Sequence, residues 1–388
     1  MTEPPASALA ETVVCLGEHP RRGAPVHWRP SVRGNPHLLI VGIPGMGKTT
    51  ALVNLGASLA GQSVWPLIVD FHGDLTTQLR ERLAGQPFLH LDAAEGLAFN
   101  PLRLSQRQAT RSNGWMDNVF EVTEILAAIF PDFGDLQQAE IRNRLIQVYK
   151  EAGFRENETS EGLTPPPFRR LYDLMKAEME GQARLRHIVA RLDTLFLRNL
   201  FRDAGTAPSP SRLGIESRLG IESRLGMVPD EAGVDELAAC TTVLDIHDVG
   251  TEQNQLAAAS FFLHKVYKDM FARGESPHLR QAVVFDEAHR AAKLGLLGTM
   301  MQECRKFGIA MIVSSQRISD FRRQVIETVG SHLILKVNHP DAKLLAPLLT
   351  GLEGRDAVVR KVLDLPKYHA LFRSEEHLPY AEVRLRAP

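Results

Sequence analysis

Cysteine and long apolar segments are scarce in this 388-residue sequence. The three cysteines, Cys15, Cys240 and Cys304, are scattered and no two form a CxxC pair. Neither a disulfide framework nor a zinc site is therefore indicated, and a reducing cytoplasm fits. No apolar run reaches the roughly 20 residues that a helix needs to cross a bilayer, so we expect no membrane segment.

A charge excess of either sign is also lacking. Lysine and arginine number 45, aspartate and glutamate 46, and the formal net charge is −1. The surface as a whole is thus not typical of a nucleic-acid-binding protein, and any contact with DNA would have to be local, such as basic loops lining a pore. The first 20 residues contain no basic stretch that leads into an apolar one, so a secretory signal is not expected. We expect a cytoplasmic protein.

Short apolar runs with strand character alternate with helical patterns through much of the chain. Several runs are nearly continuous in valine, isoleucine and leucine, as is typical of parallel strands buried on both faces. Helical patterns lie between them, for example at residues 49–60 and 252–271. The alternation predicts an α/β fold with a doubly wound, mainly parallel central sheet. The predicted strands are residues 37–43, 64–70, 88–91, 241–246, 282–285, 309–313 and 332–337.

The middle of the chain has a different pattern, because strand signals are missing between about residues 105 and 203. Helices are predicted there at 115–130, 136–152, 167–179 and 183–200, the last with a clear apolar face. We interpret this region as an all-helical subdomain inserted into the α/β domain. The predicted divisions are an N-terminal half at 1–104, the insertion at 105–205, a low-complexity loop at 206–235 and a C-terminal half at 236–388.

The predicted loop contains a repeat. Ser-Arg-Leu-Gly-Ile-Glu occurs at 211–216 and at 217–222, and it begins a third time at 223–226. An unchanged six-residue period indicates recent duplication of the coding DNA. Because it follows Ala-Pro-Ser-Pro at 207–210, we interpret it as a tolerated surface loop, with a functional short repeat as the alternative.

A phosphate-binding loop is predicted where the first buried strand ends. Residues 42–49, Gly-Ile-Pro-Gly-Met-Gly-Lys-Thr, match GxxxxGK[ST], and a strand precedes the motif while a helix follows it. The glycines let successive backbone N–H groups face the phosphates, and the helix adds the positive end of its dipole. Lys48 would reach the β- and γ-phosphates and Thr49 would bind Mg²⁺. This context argues against a glycine-rich turn with an incidental lysine. The predicted nucleotide contacts are Gly42, Pro44, Gly45, Met46, Gly47, Lys48, Thr49 and Thr50.

Two carboxylates follow the predicted strand at 282–285. Asp286 at the strand tip is suited to hold the Mg²⁺ shell, partly through water, and Glu287 is suited to act as the general base on the attacking water. Acidic residues also follow strands simply because loops are polar, but the neighbouring phosphate-binding loop favours the catalytic interpretation. His289 could couple the nucleotide state to substrate contacts, or it could be a surface histidine at a helix start.

The predicted strand at 309–313 is followed by a polar amide and preceded by a basic pair. Gln316 could hydrogen-bond the γ-phosphate or the attacking water, or it could merely cap the strand. Arg305 could enter a neighbouring subunit's ATP site as an arginine finger. A solvated surface arginine is the alternative interpretation of Arg305.

Taken together, these motifs resemble the HerA/FtsK superfamily of hexameric translocases, which includes the conjugative coupling and type IV secretion ATPases. The likeness covers most of the chain outside the repeat. Beyond the phosphate-binding loop and the acidic strand, the matching segments are 23–28, 35–39, Asp-Phe-His-Gly-Asp at 70–74, Phe-Asn-Pro-Leu at 99–102, Ser-Gln-Arg at 315–317 and Leu-Pro-Lys-Tyr-His-Ala-Leu at 365–371.

The resemblance implies a RecA-like fold, ATP and Mg²⁺ as cofactors, and a homo-hexamer around double-stranded DNA. It implies the nucleotide and metal roles of Lys48, Thr49 and Asp286 given above, Glu287 as base and Gln316 as sensor. Three family features are not recognised: an N-terminal β-barrel, membrane helices and a C-terminal winged helix. A cap, an anchor or a targeting module would then come from a partner or be unnecessary.

Three functions follow from this resemblance. The main expectation is a ring motor that translocates double-stranded DNA. The basic pattern of the predicted helix at 183–202 supports it if that face lines the channel, and a solvated helix face is the alternative. The second expectation is an ATPase that powers type IV secretion or conjugative substrate transfer. The third is a nucleotide-switched subunit of a nuclease or defence complex.

Overall fold

The computed structural model describes residues 11–202, 239–288, 290, 295–321 and 323–386. The hexapeptide repeat and His289 lie outside these residues. In chain order the strands are β1 (Val14–Glu18), β2 (Pro25–Trp28), β3 (Leu38–Val41), β4 (Trp65–Asp70), β5 (Phe88–Asp92), β6 (Thr241–Asp245), β7 (Gln281–Phe285), β8 (Ile309–Ser315), β9 (Ser331–Ile334), β10 (His369–Ser374) and β11 (His377–Leu385). The helices are α1 (Lys48–Ala60), α2 (Asp74–Arg82), α3 (Gln106–Ala109), α4 (Gly114–Ile129), α5 (Asp135–Glu151), α6 (Arg169–Glu178), α7 (Ala183–Phe196), α8 (Glu252–Arg273), α9 (Gly295–Glu303), α10 (Arg323–Thr328), α11 (His339–Leu349) and α12 (Arg355–Leu363).

The chain divides into two compact units, which we call the sheet unit and the helical unit. The sheet unit contains the described residues up to Phe88, residues 239–243, and the described residues from Glu275 onward. The helical unit contains Leu89 to residue 202 and residues 244–274. The division falls within β5 and β6, so these two strands begin in the sheet unit and end in the helical unit.

The sheet has the strand order β2-β1-β11-β10-β9-β3-β8-β7-β4-β6-β5. The pairs β9–β3, β3–β8, β8–β7 and β7–β4 are parallel. All residues of β3, β7 and β8 are buried, which explains their nearly uninterrupted apolar sequences. The predicted α/β fold with a mainly parallel central sheet is confirmed.

One end of the sheet is antiparallel. The strands β2, β1, β11, β10 and β9 pair antiparallel with their neighbours in that order. In this arrangement β10 starts at the edge where β3 and β9 end, because Leu371 of β10 pairs with Ile334 at the end of β9. The start of β10 therefore lies at the same edge as the segment that follows β3.

The helical unit is built from amphipathic helices around an aromatic core. The buried residues of α7 are Leu185, Ile188, Val189, Leu192, Leu195 and Phe196, which is the apolar face that the sequence pattern predicts. Phe168, Phe201 and Phe261 pack edge to face, with ring centroids 5.2–5.7 Å apart. The long helix α8 belongs to this unit as well. None of the helices within the described residues is both long and apolar enough to cross a membrane.

Candidate active site

The loop between β3 and α1 has the conformation that its glycines allow. Gly45 and Gly47 have φ angles of 78° and 109°, in a region that residues with a Cβ rarely occupy. The start of the loop is fixed to the sheet, because the Gly42 N–H donates to the Ser315 carbonyl at 3.2 Å and the Ile43 N–H donates to the Lys336 carbonyl at 2.8 Å. The loop is thus held between β8 and the segment that follows β9.

Lys48 is the first residue of α1 and is buried. Its Nζ donates to the Gly42 carbonyl at 2.7 Å, so the ammonium group lies within the curl of the loop. Burial lowers the pKa of Lys48, and the nearby charges of Glu287 and Asp286 act against this shift. The two carboxylates predicted from the strand at 282–285 therefore lie close enough to the loop to interact with its lysine.

Asp286 and Glu287 follow directly after β7 and are 6% and 4% exposed. Burial is the main cause that raises the pKa of Asp286, and the adjacent Glu287 charge adds to it, whereas the neighbouring Ser314 side chain acts against it. Glu287 has a φ of 51°, an unusual value for a residue with a side chain. Left-handed residues of this kind cluster at functional sites because the surrounding structure must hold them there.

Gln316 meets Glu287 because β7 and β8 are adjacent and parallel. The Gln316 Nε2 donates to the Glu287 Oε1 at 3.0 Å. Both side chains line a cavity of about 290 Å³ that Ile43 and Pro44 of the phosphate-binding loop also line. Arg290, Arg317 and Asn338 complete its lining. The cavity thus joins the loop, the predicted base and the predicted sensor.

His72 is a neighbour of Glu287 to which the sequence analysis assigned no role. Its Nε2 lies 3.9 Å from the Glu287 Oε1. The turn that carries His72 is fixed by buried Asp70, whose carboxylate accepts the backbone N–H groups of His72, Gly73 and Thr76 at 2.9–3.1 Å. The available signal was the Asp-Phe-His-Gly-Asp segment at the end of a predicted strand.

Arg305 lies at the other edge of the sheet. It precedes β8, whereas the phosphate-binding loop contacts Ser315 at the end of β8. Its Nη1 donates to the Gly34 carbonyl at 2.8 Å. The structure therefore does not bring Arg305 to the loop of its own chain. Action on a neighbouring subunit remains a prediction.

The donor set suits Mg²⁺ held jointly by protein and substrate. Among the residues that the structure describes, no group of three or more histidine, cysteine or carboxylate side chains could hold a metal by itself. Mg²⁺ usually binds one or two carboxylates together with substrate phosphates and waters, so a full protein cage is not needed. Asp286 beside Glu287 and the hydroxyl of Thr49 at the loop fit such a site.

The similarities of this chain to known proteins lie in its fold. No protein-family model matches the chain, and no curated protein sequence matches it either. The fold is similar to VirB4 of Thermoanaerobacter pseudethanolicus, with a TM-score of 0.70 at 20% identity over 97% of this chain and 96% of that chain. The bacterial conjugative coupling protein TrwBΔN70 gives 0.59 at 17% identity over 97% and 88%. TrwB in complex with ADP and Mg²⁺ gives 0.57 at 18% identity over 96% and 89%.

These similarities establish the fold. The chain has the RecA-like P-loop ATPase fold of VirB4 and TrwB. The similarity extends over nearly its full length. The fold that the motif resemblance implied is thus the fold that the structure has. At such low identity the roles of the residues depend on the geometry described above.

Proposed function

We propose that the chain is a Mg²⁺-dependent ATPase that powers type IV secretion or conjugative substrate transfer. The observation that carries the proposal is the cavity where the phosphate-binding loop, Glu287 and Gln316 meet, within the fold of VirB4 and TrwB. Those two neighbours favour this function over the DNA-translocating motor that was the main expectation.

The residues divide the work of hydrolysis among them. Lys48 and the loop N–H groups would bind the phosphates, and Asp286 and Thr49 would hold Mg²⁺, which would neutralise phosphate charge. Glu287 accepts a proton from the attacking water, and its hydrogen bond to Gln316 orients the carboxylate. Because Glu287 is buried, this proton transfer takes place away from bulk solvent.

The test compares two variants with a matched control. Lys48→Ala should abolish ATP binding, whereas Glu287→Gln should retain ATP and lose roughly 10² to 10⁴-fold in hydrolysis. The control is Glu376→Gln, which alters an exposed carboxylate paired with Arg29 and should hydrolyse ATP like the unmodified protein. Hydrolysis by Glu287→Gln at the control rate would refute the assignment of the base.

A DNA-translocating ring is the second candidate, and one observation favours it. Exposed arginines occur on α7, at Arg184 and Arg186, and just after its end, at Arg198, and such a basic surface is suited to phosphate contacts. Arg191 on the same helix is paired with Asp132 at 2.7 Å. Strong stimulation of hydrolysis by duplex DNA, with loss of stimulation on neutralising these arginines, would favour translocation. Stimulation only by a secretion partner protein would favour the first proposal.

We also propose that the active form is a homo-hexamer in which Arg305 of one subunit completes the site of the next. The support is the position of Arg305 away from its own phosphate-binding loop together with the resemblance of the sequence motifs to a superfamily of hexameric translocases. Sedimentation of the protein with ATP and Mg²⁺ tests this assembly. Sedimentation as a monomer under these conditions would contradict it.

A further inference from the structure

Tyr368, just before β10, is joined to the phosphate-binding loop. Its N–H donates to the Met46 carbonyl at 3.1 Å, and its own carbonyl accepts the Leu385 N–H at 2.8 Å. Its ring lies against the loop, since a Cβ added to Gly47 would be 2.7 Å from the Tyr368 Cδ1. The aromatic ring is therefore in direct contact with the last glycine before Lys48.

The strand order indicates which end of a nucleotide faces Tyr368. Glu287 and Gln316 follow β7 and β8, on one side of β3. The γ-phosphate must lie on that side, because these residues act on the water that attacks it. A triphosphate that crosses the loop then leaves its nucleoside on the other side of β3, toward β9 and β10. Tyr368 stands at the start of β10.

The conformation and exposure of Tyr368 fit a binding residue. Its φ is 63°, a genuine outlier for a bulky residue and a kind of strain that clusters at ligand sites. Its side chain is only partly buried. The Nζ of exposed Lys367 lies 4.8 Å from the ring centroid, so a cation reaches this ring from the protein surface. The π-system is thus accessible from outside the core.

We propose that Tyr368 is the stacking platform for the base of the bound nucleoside triphosphate. The inference rests on the proposed ATPase function and adds the nucleoside half of the site to the phosphate half. A ring that meets the π face of a base contributes affinity without reading the base edge. The platform therefore does not distinguish one base from another by hydrogen bonding.

The experiment separates the base from the phosphates by using two probes, ATP and inorganic tripolyphosphate, with Mg²⁺ and the full chain. Calorimetry should show that Tyr368→Ala weakens ATP binding roughly tenfold, in line with base–aromatic stacking measured by alanine substitution. Tripolyphosphate binding should stay unchanged. Tyr368→Phe should bind both probes like the unmodified protein. The matched control is Tyr380→Ala, since Tyr380 also has a lysine over its ring but lies toward the other end of the β10–β11 pair.

The outcomes separate this inference from the proposed function. Equal weakening of both probes by Tyr368→Ala would show that Tyr368 only sets the loop conformation, and it would overturn the platform. Unchanged ATP binding would overturn it as well. If the unmodified protein bound neither probe, the ATPase proposal itself would fail. If the unmodified protein binds both probes and Lys48→Ala binds neither, the ATPase proposal stands, whatever the result for Tyr368→Ala.

Discussion

Replacing Gly47 by alanine should destabilise the protein in two ways, through backbone strain and through steric overlap. At Gly45 and Gly42 the same replacement introduces only one of these effects. Gly47 has a φ of 109°, and its added Cβ would lie 2.7 Å from the Tyr368 ring. Gly45 has a φ of 78° but nothing within 4 Å of an added Cβ. At Gly42 only steric overlap is expected. An added Cβ would lie 2.8 Å from the Leu335 Cβ, whereas the φ of Gly42 is not positive. The three positions therefore separate backbone strain from steric overlap.

The structure sets the expected magnitudes. A left-handed conformation costs a residue with a Cβ roughly 1–2 kcal/mol, which is the expected loss for Gly45→Ala. Extra volume in a packed site costs about 1–3 kcal/mol, which is the expected loss for Gly42→Ala. Gly47→Ala should lose the sum of both, about 2–5 kcal/mol. Its ATP affinity should fall with it, because the overlap with the Tyr368 ring is relieved only by displacing that ring or the loop from its position.

Urea denaturation of the three variants measures these losses as shifts of the transition midpoint. The double variant Gly47→Ala/Tyr368→Ala should recover the steric part and retain the strain, which gives a coupling energy between the two sites. Equal losses in Gly45→Ala and Gly47→Ala, or no recovery in the double variant, would refute the close contact between the loop and Tyr368.

Other measurements test the core of the sheet unit and the remaining residues of the site. Burial is the main cause that lowers the pKa of His37 from its usual 6.5 to about 4, and its Nδ1 accepts a backbone N–H of β8 at 3.0 Å. Because the unfolded chain takes up this proton first, His37 by itself should lower stability by up to about 1.4 kcal/mol per pH unit as the pH drops from 6.5 toward 4, in addition to His264 and His332, whose pKa values burial also lowers to about 4. His37→Asn, which cannot titrate, should reduce that slope in urea titrations. Gln316→Leu should lower kcat by about 10²-fold with little change in ATP affinity, and weaker binding at unchanged kcat would contradict a role at Glu287. Arg305→Ala should lose hydrolysis, and mixing it with Lys48→Ala subunits should restore part of it; no restoration would contradict action in trans.

Much of the fold could be predicted from local pattern. The long helix predicted at 252–271 is α8 at Glu252–Arg273, and the strand predicted at 88–91 is β5 at Phe88–Asp92. These elements have strong periodicity or continuous apolar character. By contrast, β1, β2 and β11 were not predicted, because these partly exposed strands toward one end of the sheet lack a continuous apolar run. The pairing of β1 with β11 in addition joins segments from opposite ends of the described chain.

The candidate site shows the same division. The proximity of Glu287 to Gln316 could be expected, since both follow apolar runs that end at one edge of a parallel sheet. Neither His72 nor Tyr368 could be assigned a role in this way. His72 is directed by the hydrogen bonds that Asp70 makes within one turn. Tyr368 reaches the loop only because β10 runs antiparallel to β9, and an isolated sequence does not specify that strand order.

The pairing of β1 with β11 has a practical consequence for anyone who shortens the protein. Gly17 and Glu18 pair with Leu385 and Arg384, so β1 covers the outer side of β11. A fragment that starts just before β3 would retain every residue of the proposed active site and yet leave the nine-residue strand β11 as a bare edge. Unprotected edges recruit strands from other molecules. Such a fragment would be prone to aggregate. Loss of activity caused by aggregation could then be mistaken for a defect in catalysis.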